Sequence, residues 1–157
     1  MRTDEMIRKA LIKDAKEIIS IINFYADRGE MLYRSINELY ENIRDFIVYE
    51  IDGEIIAVSS LHIDWEDLAE IRSLAVKEKS SRKGIGSELV RECMKEAKEL
   101  GIKKVFTLTY VPKFFEKMGF KIVDKAQFPH KIWGDCVKCP KFPSCDETAL
   151  IYEIEKS

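Results

Sequence analysis

The chain has 157 residues, 46% of them apolar and 34% charged, with 26 basic against 28 acidic side chains and a formal net charge of −2. That is enough apolar material for one cored domain without staples, and a charge balance that excludes a nucleic-acid binder driven by counterion release. No apolar run approaches the length of a membrane span and the start, Met1-Arg2-Thr3-Asp4-Glu5, is not a signal peptide, so the expectation is a cytoplasmic protein with no membrane partner.

Residues 6–10 read as a first strand. Asp14, with Glu17 three residues on, has the pattern of a capping box. Ala15, Ile18, Ile19 and Ile22 follow at helical spacing, with Gly29 as the stop. Ser35 and Glu38 form a second capping box, ahead of a short helix with Ile36, Leu39, Tyr40 and Ile43 on one face. Residues 46–51 and 55–63 are strand-like. Asp52-Gly53 between them is a hairpin signal, because both positions accept positive φ. Asp64-Trp65-Glu66-Asp67 reads as a further turn and residues 70–76 as the fourth strand. The next helix carries Ile85, Leu89, Val90, Cys93, Met94 and Ala97 on one broad face and ends at Gly101. Residues 105–109 form a fifth strand. Pro112 suits the first turn of a short helix closed by Gly119, residues 120–123 start another strand, and residues 148–154 make the last. Residues 128–146 have little regular pattern. The whole reads as a single mixed α/β domain over residues 1–157.

Between the fourth strand and the third long helix lies Arg82-Lys83-Gly84-Ile85-Gly86-Ser87. N–H groups at a helix start lack intrahelical partners and the dipole adds partial positive charge, so this turn makes an anion site. The glycines let a phosphate approach the backbone, and Arg82 and Lys83 add full charges.

With that turn placed, the element order resembles the GNAT superfamily of N-acetyltransferases over nearly the whole chain. Leu74-Ala75-Val76 ahead of the turn and Phe114-Phe115-Glu116-Lys117-Met118-Gly119-Phe120 one strand later carry the resemblance. The family usually has Gln or Arg where this chain has Ser81, the Arg here having moved to Arg82. The resemblance implies a mostly antiparallel sheet of six to seven strands flanked by four helices. It also implies acetyl-CoA as the acetyl donor. Its pyrophosphate would sit on the backbone of Arg82, Lys83, Gly84, Ile85, Gly86 and Ser87. Its pantetheine arm would lie along Leu74, Ala75 and Val76 like an added strand, with Phe114 and Phe115 also at the cofactor.

Residues 29–35 and Asp45-Phe46-Ile47-Val48 are further similar to the acceptor-site segment of bacterial N-acetylglutamate synthases, and the tail resembles their short stand-alone members. This implies an amino-acid acceptor, most specifically L-glutamate, and a place in arginine biosynthesis. No amino-acid-kinase domain is present, so feedback by arginine through such a domain is not expected. Glutamate brings two carboxylates and requires fixed cations, preferably Arg. Arg34 is the first candidate, with Met31 and Leu32 beside it for backbone and apolar contact. Arg72 is the second, because strand alternation sets it on one face with Glu70, Leu74 and Val76. Lys131 is a weaker third. The bland readings are a surface Arg34 near a helix start and an Arg72–Glu70 ion pair.

Glu70 is the candidate general base, directly or through water, and a backbone N–H near Leu74 the candidate oxyanion donor. Attack would be direct, in a ternary complex, with Cys93 confined to the core. Many superfamily members carry Tyr where this chain has Phe115, which leaves Tyr110, Tyr33 or water to protonate the leaving thiolate. The competing functions are acetylation of another small amine or a protein N-terminus, and CoA binding without turnover. His130, Cys136, Cys139 and Cys145 match a structural zinc site in ligand type, but a disulfide or free thiols remain open, and no metal is assigned. Apolar strand edges make a homodimer a reasonable expectation.

Overall fold

The computed structural model describes residues 4–80, 84–124 and 147–154. Among these, seven strands and four helices occur in the expected order. The strands are β1 (Glu5–Lys9), β2 (Phe46–Ile51), β3 (Glu54–Trp65), β4 (Leu68–Val76), β5 (Lys104–Thr109), β6 (Lys121–Val123) and β7 (Thr148–Glu153). The helices are α1 (Ala15–Asp27), α2 (Ile36–Glu41), α3 (Ile85–Glu99) and α4 (Pro112–Lys117). The sheet order is β1-β2-β3-β4-β5-β7-β6. The β4–β5 pair is parallel. The β1–β2, β2–β3, β5–β7 and β6–β7 pairs are antiparallel. This is the mixed, mostly antiparallel sheet the sequence predicts, with the larger of the two expected strand counts.

The chain divides into two compact units, Met1–Leu61 with Ile71–Glu96, and His62–Glu70 with Ala97–Ser157. In the first, Asp52 and Gly53 take φ values of 50° and 82°, as a two-residue hairpin turn matching the strand twist requires. The apolar stripe of α1 is buried as its spacing demands: Ala15, Ile18, Ile21 and Ile22 cluster with Leu39 of α2, with Phe46, Val48, Ile55 and Val58 of the hairpin, and with Ala75 of β4. Each fully buried Ile here contributes about 2 kcal/mol from area removed from water. On α3, Ile85, Leu89, Val90 and Cys93 are likewise buried.

Two local expectations are corrected. Asp14 borders α1 but makes no side-chain cap. Its carboxylate accepts two bonds from the Arg8 guanidinium, at 2.7 and 3.1 Å, and one from the Leu11 N–H at 2.7 Å. The carboxylate thus serves the N–H that opens the preceding 3-10 turn, Ile12–Asp14, and the Arg8 guanidinium, in place of an N–H of α1. Ser35, by contrast, does cap α2, accepting from the Glu38 N–H at 3.1 Å. The second correction concerns the turn expected over residues 64–67: β3 runs on through Trp65 and β4 begins at Leu68, leaving only Glu66 and Asp67 between them.

In the second unit, Leu68, Phe106 and Ala149 form the core, with Leu108, Val123 and Ile151 packed against it. The parallel ladder pairs Leu68 with Lys104, Ala69 with Val105 and Glu70 with Phe106. Pro112 opens α4 as predicted. Phe114, Phe115, Phe120 and Tyr152 form a row of rings with successive centroids 5.0, 5.3 and 5.4 Å apart, spacings at which edge-on aromatic pairs attract.

Candidate active site

Three pieces of the first unit carry the predicted donor and acceptor residues. The first is the end of β4. Leu74 and Val76 are half-buried, whereas the Ala75 side chain is in the core, so Ala75 offers a ligand only its backbone. Ahead of them Ser73 takes a φ of 56°. A serine in the left-handed region carries strain of about 1–2 kcal/mol, and such outliers persist where surrounding structure holds them, often at functional sites. Strand alternation requires continuous extended backbone. It therefore cannot be counted across Ser73, and the assignment of Arg72 to one face with Leu74 and Val76 does not follow. Arg72 is half-buried and its carbonyl accepts from the Ser60 hydroxyl at 3.0 Å.

The second piece is the start of α3. The Glu88 N–H donates to the Gly84 carbonyl at 3.2 Å, which sets Gly84 at the helix border. The N–H groups of Ile85, Gly86 and Ser87 precede that bond, in the turn whose donors an α-helix does not satisfy internally. Gly84 has a φ of 75°, and open space lies where a Cβ would stand, so both its conformation and its exposed backbone suit a close-lying anion. The Ile85 side chain is buried, leaving its N–H as the only group it presents. Ser81, Arg82 and Lys83 lie outside the described residues.

The third piece is the segment joining α1 to α2. In its first turn the Tyr25 carbonyl accepts from both the Arg28 and Glu30 N–H groups, at 3.1 and 3.0 Å, and the Ala26 carbonyl from the Gly29 N–H at 2.9 Å. Its exit is held by α1 side chains one turn apart. Asn23 Oδ1 accepts from the Arg34 N–H at 3.5 Å, and Asp27 accepts from the Tyr33 hydroxyl, a bond that raises the Tyr33 pKa above its ordinary value. Met31 packs on the core cluster and Leu32 is half-buried. Arg34 is also half-buried, with its guanidinium 3.6 Å from Glu38. The ring of Tyr25 packs on the same core cluster. Its hydroxyl donates to the Val76 carbonyl, and burial is the main cause that pushes its pKa up.

In the second unit Glu70 is buried, 9% exposed, at the end of the parallel ladder. Tyr110 follows β5, half-buried. Phe115 is buried at 3% exposure in the aromatic row, while Phe114 is half-buried. Cys93 sits 3.7 Å from the Ser59 hydroxyl, and burial pushes its thiol up to about 12, as a core residue requires. His130, Lys131, Cys136, Cys139 and Cys145 lie outside the described residues. Among the described residues no cluster of His, Cys, Asp or Glu suits a metal ion, and no helix is long and apolar enough to cross a membrane.

Sequence reasoning missed Ser73 and Tyr25. Tyr25 had a signal, since it follows Ile18 and Ile22 at helical spacing and puts a polar tip on an apolar face. Ser73 had none, because serine is not a residue that marks positive φ.

A strand irregular ahead of its end, followed by a glycine border and the first N–H groups of a helix, suits a ligand that bears a phosphate. Residues 11–120 match the acetyltransferase (GNAT) family, and the chain belongs to that family. It is therefore an acetyltransferase using acetyl-CoA. An uncharacterized N-acetyltransferase of Chlorobaculum tepidum is 43% identical to it over 94% of this chain and 96% of that one. An amino-acid acetyltransferase of Mycobacterium tuberculosis is 31% identical over 83% and 76% respectively. The fold also matches N-acetylglutamate synthase from Neisseria gonorrhoeae, solved with coenzyme A and N-acetyl-glutamate. The TM-score is 0.89 at 23% identity, over 99% of this chain but 36% of that longer one.

Proposed function

We propose that this enzyme transfers the acetyl group of acetyl-CoA to the α-amine of L-glutamate. The observation that carries the reading is Arg34. It is a half-buried guanidinium whose backbone is tied to Asn23 of α1 and whose position directly precedes the Ser35 cap of α2. A guanidinium at this half-buried position suits a bidentate grip on a carboxylate. Glu38 is more exposed than Arg34, 52% against 25%, so an incoming carboxylate can replace it without leaving a buried charge behind. The relatives named amino-acid acetyltransferases lend the same support.

In this reading the β4 backbone at Leu74 and Val76 aligns the pantetheine arm, and the N–H groups of Ile85, Gly86 and Ser87 hold the pyrophosphate, with Arg82 and Lys83 beside them. Glu70, directly or through water, removes a proton from the substrate ammonium. The freed amine attacks the thioester carbonyl, forming the N–C bond. The developing oxyanion is stabilised by a backbone N–H beside the Ser73 irregularity. Collapse breaks the C–S bond; the thiolate takes a proton from Tyr110 or from water, and the second proton on the attacking nitrogen passes to water, leaving the neutral amide and the free thiol. Arg72 supplies a second cation for the acceptor.

Following thiol release from acetyl-CoA across a panel of amino acids tests the reading. L-Glutamate should show the highest kcat/KM, and Arg34→Ala should raise the glutamate KM by about tenfold to a hundredfold, the loss of one charge-assisted pair of about 1.5–3 kcal/mol, while sparing the acetyl-CoA KM. A glutamate KM unmoved by that substitution sinks the carboxylate assignment.

A further inference from the structure

We propose that Tyr25 is a positioning residue that joins the donor strand to the acceptor segment, so that ordering one orders the other. This deepens the reading of residues 29–35 as the acceptor segment and rests on it.

Tyr25 is bonded in both directions. Through its carbonyl it holds the Arg28 and Glu30 N–H groups, the first turn of the acceptor segment. Through its hydroxyl it holds the Val76 carbonyl, the last residue of β4. Its ring packs on the core cluster that contains Ile18, Ile22 and Ala75, so neither bond can shift without moving buried side chains. Beyond Val76 the Lys77 N–H bonds the Ile56 carbonyl at 2.8 Å and the Ser80 N–H bonds the Lys77 carbonyl at 2.8 Å, so the Tyr25 bond joins a run of backbone tethers at the end of β4.

Two ion pairs lie on the same side of α1. Lys77 meets Glu17 at 2.8 Å and Arg28 meets Glu78 at 2.8 Å. Residues 17, 25 and 28 are spaced to share one helix face, so that face as a whole addresses the end of β4. The ion pairs are the weaker ties. The Arg28 and Glu78 side chains are 46% and 62% exposed, and exposed pairs are weak and screened by salt. The Tyr25 bond is shielded by its own ring and is not screened in this way.

Tyr25→Phe removes one oxygen and keeps the ring. Titrating coenzyme A alone into the protein gives a donor-side affinity that needs no acceptor, and steady-state rates then give the KM of L-glutamate or of whichever amino acid turns over fastest. The expected result is about three- to tenfold weaker coenzyme A binding and a comparable rise in acceptor KM, the loss of one neutral hydrogen bond. Melting should fall by only a few degrees, and the effect should persist in molar salt. Glu78→Gln is the companion, with a smaller effect that vanishes in salt. Coenzyme A and acceptor constants both within twofold of the native values overturn the proposal, as does weakening of coenzyme A binding with the acceptor KM unmoved. The acceptor assignment fails separately, through Arg34→Ala.

Discussion

Asp14 gives the sharpest test of how this fold is held. Replacing it with Ala removes the acceptor of three bonds, two from Arg8 at 2.7 and 3.1 Å and one from the Leu11 N–H at 2.7 Å. Breaking a buried ion pair from one side costs about 3–5 kcal/mol. Here the figure belongs at the lower end. The Arg8 side chain is 21% exposed and keeps its bond to Glu50 at 3.1 Å, so it can rehydrate in part. A loss of about 3 kcal/mol lowers Tm by about 6–12 °C for a chain of this length.

The loss carries a pH signature. Bonding from Arg8, and then from the Leu11 N–H, holds the Asp14 carboxyl below its ordinary value. The unfolded chain therefore binds the proton first as pH falls. The stability is fully present above the unfolded value near pH 4, and it is lost as pH drops through the folded value. Urea melts of the native protein and of Asp14→Asn from neutral pH downward should diverge at neutral pH and converge in acid. A difference under about 1 kcal/mol at neutral pH, or one that does not shrink below about pH 4, refutes the assignment.

Further substitutions test other parts. Ser73→Val places a β-branched residue at a φ of 56°, which should cost about 1–3 kcal/mol and depress acetyl transfer more than the stability loss explains. Rates measured well below the melting range separate the two effects. Gly119→Ala sets a Cβ 2.9 Å from the Tyr152 ring at a φ of 100°, and a Tm drop of several degrees, read by calorimetry, is expected. Cys93, with its thiol pushed up to about 12, should resist iodoacetamide in the native protein and label only after denaturation, as peptide mass mapping will read. Cys93→Ser should still transfer acetyl groups if, as proposed, the amine attacks the thioester directly.

Much of the architecture was legible because local signals agreed with each other. The Asp52-Gly53 turn, the Ser35 cap and the apolar stripes of α1 and α3 each follow from one residue type meeting one backbone requirement. The Asp14 reading failed for the opposite reason. The capping pattern points to an N–H of α1, whereas the carboxylate bonds the Leu11 N–H one turn earlier and Arg8 from β1. Arg34 and Gly84 stand out in the sequence as candidates because cations and glycines have few roles, and the structure gives Gly84 a φ of 75° at the border of α3. Placing Arg72 on a face by alternation along β4 presumes extended backbone throughout, and a serine gives no sign of the positive φ at Ser73. Tyr25 was hidden differently: its ring suits the core, and only the fold shows what its hydroxyl meets.

The ends of the sheet order have a bearing on how copies of this chain behave in a crowded solution. β6 is three residues long and carries Lys121, while β1 presents Glu5, Arg8 and Lys9, with Lys9 paired to Glu96 at 3.1 Å. Short strands and charged side chains are the devices that keep sheet margins from templating one another. Among the described residues, both outer strands thus carry features that disfavour edge-to-edge pairing. The backbone irregularity at Ser73 lies instead on β4, an interior strand with neighbours on both sides.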